Sequence, residues 1–136
     1  MVSRNPDRAT VLVVDDNVDV LQALRRQLRH SLGGRARISV SNDAEQALSG
    51  LEDMSPEQRA RCAIVLDYRL PGMTGADFVA HVRERFGPVP VVFLSGHISD
   101  DARREMDAEP MVRGILPKPW DESALAAVLA DALALS

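Results

Sequence analysis

Cys62-Ala-Ile-Val-Leu-Asp67-Tyr-Arg-Leu-Pro-Gly-Met-Thr-Gly75 decides how the chain is read. The apolar run Cys62 to Leu66 is short and opens after the charged Arg61, which predicts a strand covered on both faces, as in the middle of a parallel sheet. Its last residue is a carboxylate, and the Pro-Gly-bearing segment that follows reads as a loop. A buried strand therefore delivers Asp67 to the mouth of a loop, a good place for a nucleophile.

Outward from that stretch the pattern repeats. Val11-Leu-Val-Val14 ends in Asp15-Asp16, Pro90-Val-Val-Phe-Leu94 runs into Ser95, and Val112 to Leu116 leads to Lys118. In an open parallel sheet the ligand crevice lies outside the carboxyl ends of the strands. Three acids, a hydroxyl and an amine fall on that one edge.

The segments between the strands read as helices. Asn17 caps an amphipathic helix with Leu21, Leu24, Leu28 and Leu32 on one stripe, stopped by Gly33-Gly34. Arg37 to Val40 is a short strand, and Asn42-x-x-Glu45 predicts a capping box before Ala44, Ala47, Leu48 and Leu51. Ser55 to Arg61 reads as a polar connector. Phe78, Val79, Val82 and Phe86 mark a third helix closed by Gly87-Pro88. A helix from Ser99 to about residue 107 has only Ala102 and Met106 for its buried side, which predicts weak docking. Leu125, Val128, Leu129 and Leu133 mark the last helix.

Five alternating βα units predict a single α/β domain, a flavodoxin-like (βα)5 doubly wound parallel sheet with strand order 2-1-3-4-5. Its switch point lies between the first and third strands, so Asp15, Asp16 and Asp67 are expected in one crevice. Residues 1–9 read as a flexible N-terminal arm and 10–134 as the domain, with no output domain after it.

Composition narrows the function. With 20 acids against 16 basic residues the net charge is -4, which offers no extended basic field for direct nucleic-acid binding. One cysteine, Cys62, forms no internal disulfide, and no apolar stretch is long enough for a membrane span, so a cytoplasmic setting is expected. Cys62 itself reads as a small buried hydrophobe, His30 and His81 as helix histidines without metal-ligand spacing, and Trp120 as a packing residue at the start of the last helix.

Three carboxylates in one pocket repel unless a cation intervenes. Mg²⁺, or Mn²⁺ in its place, takes hard oxygen ligands and keeps waters. Asp16 and Asp67 are the expected direct ligands, joined by the backbone carbonyl of Arg69, with Asp15 holding waters around the ion. An aspartate beside a cation can attack phosphorus to form an acyl phosphate. Lys118, the Ser95 hydroxyl and the ion would neutralise the phosphoryl oxygens.

The series Val-Val-Asp15-Asp16, Leu-Asp67-Tyr-Arg-Leu-Pro71-Gly72-Met-Thr-Gly75, Phe-Leu-Ser95-Gly96 and Leu-Pro-Lys118-Pro119-Trp120 resembles the receiver domains of two-component response regulators over about residues 10–134. The resemblance implies that Asp67 is the phosphoacceptor, that a histidine kinase or histidine phosphotransfer protein donates to it, and that Ser95 and Lys118 read the phosphoryl group. It implies a cis Lys118–Pro119 bond. It also implies a switch that takes part in its own phosphoryl transfer and dephosphorylation, rather than an enzyme. The downstream partner is then a separate protein or a fused output domain, with no membrane role, and a homodimer is left open. His97 and Arg69 are candidates for tuning the lifetime of the acyl phosphate.

The family commonly places Tyr or Phe three residues before the lysine; here Ile115 stands there. The expected output route is therefore the loop Gly96 to Ser99 and the helix after it. A rival reading is a haloacid-dehalogenase-type phosphatase, but that class wants an acid two residues after the nucleophile, where this chain has Arg69. A third is an interaction module that is no longer phosphorylated, against which the intact set of five residues argues.

Overall fold

The computed structural model describes residues 8–135. The expected N-terminal arm lies almost wholly outside them. The central sheet is formed by β1 (Ala9–Val14), β2 (Ala36–Ser41), β3 (Cys62–Asp67), β6 (Val91–Ser95) and β7 (Val112–Pro117), in the order β2-β1-β3-β6-β7. Every pairing is parallel. Counting these five strands alone, this is the predicted order 2-1-3-4-5.

The helices α1 (Val18–Leu32), α2 (Ala44–Asp53), α4 (Gly75–Phe86), α5 (Asp100–Asp107) and α6 (Glu122–Ala132) cover both faces. On one face Leu21, Leu24, Leu28 and Leu32 of α1 and Leu125 and Leu129 of α6 pack on Val11, Val13, Val65 and Val92. On the other, Leu48 and Leu51 of α2 and Phe78, Val79 and Val82 of α4 pack on Leu12, Ile64 and Phe93. Alternate residues of each strand thus feed opposite cores, and β3 is buried from Cys62 to Leu66.

The depth of docking differs among the helices. Each fully buried aliphatic side chain contributes about 1.5–3 kcal/mol. α1 buries four leucines, whereas α5 buries Met106 alone and its Ala102 is half-exposed. α5 is the weakly docked helix, as its composition predicts.

Local chemistry corrects four boundaries. The cap of α2 is Asp43, one residue later than expected: its carboxylate accepts from the Gln46 amide, while the Gln46 side chain accepts from the Asn42 amide. The 55–61 connector contains a one-turn helix, α3 (Pro56–Arg59), closed by a Ser55–Gln58 capping box. α4 begins at Gly75, earlier than its apolar stripe, because Thr74 and Asp77 form a reciprocal box. The loop after Asp67 is a two-stranded ribbon, β4 (Arg69–Leu70) and β5 (Met73–Thr74), turning at Pro71-Gly72 with Gly72 at φ 77°.

Candidate functional site

β1 and β3 are adjacent, with Val14 opposite Leu66, so Asp15, just past β1, and Asp67, the last residue of β3, lie side by side. Asp15 is almost completely buried, its side chain only 2 % exposed, and Asp67 retains 19 %. β6 lies on the other side of β3 and brings Ser95 to the same edge, and β7 beyond it brings Lys118. The backbone ties these last two together, since the Lys118 amide donates to the Ser95 carbonyl at 3.0 Å.

Lys118 is the hub. Its Nζ donates to Asp15 Oδ2 and to Asp67 Oδ2, both at 2.8 Å. Burial alone pulls the ammonium's pKa down, but hydrogen bonds and charge from Asp15 and Asp67 outweigh it, and the net shift is upward. The second oxygens of both acids are also fixed. Asp15 Oδ1 accepts from the Asn17 amide at 2.8 Å, and Asp67 Oδ1 accepts from the Arg69 amide at 3.0 Å. Both carboxylates are therefore oriented rather than free to rotate.

Behind Asp67 the chain is locked by packing. The Tyr68 amide donates to the Leu94 carbonyl at 3.1 Å, and the Tyr68 carbonyl accepts from the Gly75 amide at 2.6 Å. The Tyr68 ring meets Phe93 edge-on at 5.3 Å. Gly75 is buried against both rings, and a Cβ there would come within 2.7 Å of the Tyr68 ring. Tyr68 and Gly75 thus hold the base of the loop, a role that the strand pattern did not reveal.

The other expected site residues fall as follows. Asp16 is exposed, one residue past the buried Asp15. Ser95 is buried, and its hydroxyl donates to the His97 carbonyl at 2.8 Å, within its own loop. Arg69 and His97 are exposed. Lys118–Pro119 is cis. Trp120, two residues on, donates its indole N–H to Gln27 of α1 at 2.8 Å and packs on the α1–α6 core. Ile115 is half-buried against the opposite core. Cys62 is buried, which pushes its thiol up to about 12 and leaves it protonated.

The donor set of this edge is oxygen only. Among the described residues no group of three or more His, Cys, Asp or Glu is placed to hold a metal by itself. Oxygen donors of this kind suit a small hard cation that completes its octahedron with water and phosphate oxygen, the habit of Mg²⁺. Two carboxylates, Asp15 and Asp67, share one ammonium here, so a further positive charge would be stabilised.

Comparison with known proteins agrees with this layout. The chain is 35 % identical over 114 residues to the hydrogenase transcriptional regulatory protein HoxA of Cupriavidus necator, covering 83 % of this chain and 22 % of that protein. It is 40 % identical over 93 residues to the transcriptional regulatory protein PrrA of Mycobacterium leprae, covering 68 % of this chain and 36 % of that one. It thus spans about a third or less of these longer relatives. Among solved structures, the chemotaxis response regulator CheY4 of Vibrio cholerae superposes with a TM-score of 0.71 at 27 % identity, covering 93 % of this chain and 99 % of that one. The family model described as the response regulator receiver domain matches residues 11–130. By fold, by strand order and by sequence over almost its whole length, the chain belongs to the response regulator receiver domain family of two-component signalling.

Proposed function

We propose that this receiver domain is a phosphorylation-controlled switch whose acceptor is Asp67. The observation that carries the reading is the Lys118 ammonium held at 2.8 Å from both Asp15 and Asp67, at the carboxyl edge of the sheet. A carboxylate oxygen of Asp67, through a lone pair not taken up by its hydrogen bond, attacks the phosphorus of a phosphohistidine on a kinase or phosphotransfer protein. The O–P bond forms, the P–N bond breaks and the imidazole leaves, giving an acyl phosphate. Bound Mg²⁺ would neutralise charge on the transferring group, held by Asp16, Asp67 and the Arg69 carbonyl.

The chain's own residues do the rest. Lys118 already lies on Asp67 and can follow a phosphoryl oxygen without crossing the site. Asp15, fixed by Lys118 and the Asn17 amide, holds the ammonium in place. The Ser95 hydroxyl exchanges the His97 carbonyl for a phosphoryl oxygen, and the 96–107 segment shifts with it. Hydrolysis returns the carboxylate and inorganic phosphate, at a rate tuned by Arg69 and His97 beside the crevice. The changed surface engages a downstream partner or a fused output domain in the cytoplasm. No helix among the described residues is long and apolar enough to cross a membrane.

The test is incubation with acetyl phosphate and Mg²⁺ followed by intact-mass measurement. A gain of one phosphoryl group that disappears in Asp67→Asn supports the reading, and labelling that persists in that variant refutes it.

A further inference from the structure

Lys118 carries its ammonium on a flexible four-carbon stem, so the place of the charge depends on how the backbone at residue 118 is held. Pro117 and Pro119 flank it, so among residues 117–119 only the Lys118 amide is a backbone donor, and it is spent on the Ser95 carbonyl at 3.0 Å. On the far side Asp121 caps α6, its side chain accepting from the Ala124 amide at 2.9 Å. Between these two fixed points stands the half-buried Trp120, its ring on the α1–α6 core and its indole N–H on Gln27 Oε1 at 2.8 Å. That bond joins the Lys118 loop to a helix 93 residues earlier in the chain.

The same helix orients Asp15. Asn17, the cap of α1, donates its amide to Asp15 Oδ1 at 2.8 Å, while its own side chain accepts from the Asp19 and Val20 amides. Four buried leucines anchor α1 to the sheet. Both partners of the Lys118–Asp15 ion pair are therefore referenced to one helix, Asp15 at its first turn and Lys118 through Gln27. Packing alone does not call for a glutamine here, because Leu24 and Leu28 supply the buried stripe and Gln27 stands half-buried at its border. An indole N–H is a donor only, and the Gln27 amide oxygen is the acceptor it needs.

We propose that Gln27 is a positioning residue for phosphoryl transfer, acting through Trp120 to hold Lys118 between Asp15 and Asp67. Gln27 lies about 15 Å along α1 from Asn17, out of reach of the reacting atoms, so its effect passes through the loop it holds. The inference rests on the reading of Asp67 as the acceptor and Lys118 as its cation, and adds what sets that cation's place. Without the Gln27 acceptor the indole N–H must turn to water, the ring loses its fixed tilt, and the backbone carrying Lys118 is free to shift against Asp15. A displaced ammonium neutralises the transferring phosphoryl group less well, and a misplacement of about 1 Å caused by a change far from the chemistry costs on the order of a hundredfold in rate.

The test follows acetyl-phosphate labelling of the whole chain by intact mass over time and reads the Lys118 ε-methylene resonance by NMR. Gln27→Met keeps the length of the side chain and removes the acceptor, whereas Trp120→Phe keeps a ring and removes the donor. Each should slow labelling at least about threefold in fully folded protein and move the Lys118 resonance. The two together should be no slower than Trp120→Phe alone, because both break one bond. Gln27→Glu restores an acceptor and should label within about twofold of wild type. Should Trp120→Phe not fold, Gln27→Met, on the surface of α1, carries the test with Gln27→Glu. Labelling of Gln27→Met at the wild-type rate, or Gln27→Glu as slow as Gln27→Met, overturns the proposal. If the wild-type chain takes up no phosphoryl group, the reading of Asp67 falls and the resonance decides the positioning separately. Moved by Gln27→Met and not by Gln27→Glu, it supports the placing of Lys118 by Gln27; unmoved by either, it overturns it.

Discussion

The Ser95 hydroxyl donates its hydrogen bond to the backbone carbonyl of His97, 2.8 Å away. The group expected to read the phosphoryl oxygen is thus held by the loop whose movement would carry the signal. Turning Ser95 toward a charged phosphoryl group exchanges a neutral hydrogen bond for a charge-assisted one, a difference on the order of 1 kcal/mol. The helix downstream resists little, because Met106 is its one buried anchor.

Amide exchange should accordingly change most in residues 96–107 when Mg²⁺ and beryllofluoride, a mimic of the aspartyl phosphate, are added. Ser95→Ala should retain phosphorylation and blunt that change. Dominant changes in α1 or α2, or a response undiminished without the hydroxyl, would show that the signal leaves by another route.

Lys118 should stabilise the fold as well as the acyl phosphate. Lys118→Met leaves the Asp15 and Asp67 carboxylates facing each other without their shared cation. A loss of about 1–3 kcal/mol at neutral pH is expected by urea unfolding, less than for a fully buried pair because Lys118 is partly exposed. Because the folded-state pKa of Lys118 is raised, its contribution is fully present below the ordinary lysine value of about 10.4 and is lost as pH climbs through the higher folded value. The gap between wild type and variant should therefore be flat from neutral pH to about 10 and narrow above it. A gap that narrows on acidifying from pH 8 to 6 instead would contradict this.

Gly75→Ala should damage the site from behind. The added methyl runs into the buried Phe93 ring and the Tyr68 ring. Overpacking of this kind costs about 1–3 kcal/mol. Because Tyr68 follows Asp67 directly, phosphorylation by acetyl phosphate should slow even at temperatures where the variant is fully folded. Phe93→Leu in the same chain should recover part of the stability, and a Gly75→Ala variant as stable and reactive as wild type would refute the packing argument.

Mg²⁺ titration should separate the two adjacent acids. Asp16 is exposed, whereas Asp15 is already engaged by Lys118, so Asp16→Asn should weaken Mg²⁺ binding more than Asp15→Asn does. Trp120, bonded to Gln27 and two residues from Lys118, offers an intrinsic fluorescence signal. The reverse ranking would exchange the roles of the two residues.

The sheet order and the edge holding the five candidate residues were legible because strands buried on both faces are nearly pure apolar runs, and each such run ended in a polar residue. What escaped was local. Thr74-x-x-Asp77 and Ser55-x-x-Gln58 are capping boxes hidden beside Gly and Pro, which read as loop. Asp43 outcompetes Asn42 as a cap because Gln46, not Glu45, is placed to answer it. The clamp of Tyr68, Gly75 and Phe93 joins three elements, and no periodicity within one of them announces it.

Asp67 alone should accept the phosphoryl group, and intact-mass spectrometry reads this out. With acetyl phosphate and Mg²⁺ the wild-type chain should gain one phosphoryl group, lose it on removal of the donor, and gain none without the metal. Asp67→Asn should gain none under any of these conditions, although it keeps the shape of the side chain and the fold. Labelling of Asp67→Asn to the wild-type extent, or a wild-type chain that folds and takes up no phosphoryl group from acetyl phosphate or from any histidine kinase supplied, would contradict the account.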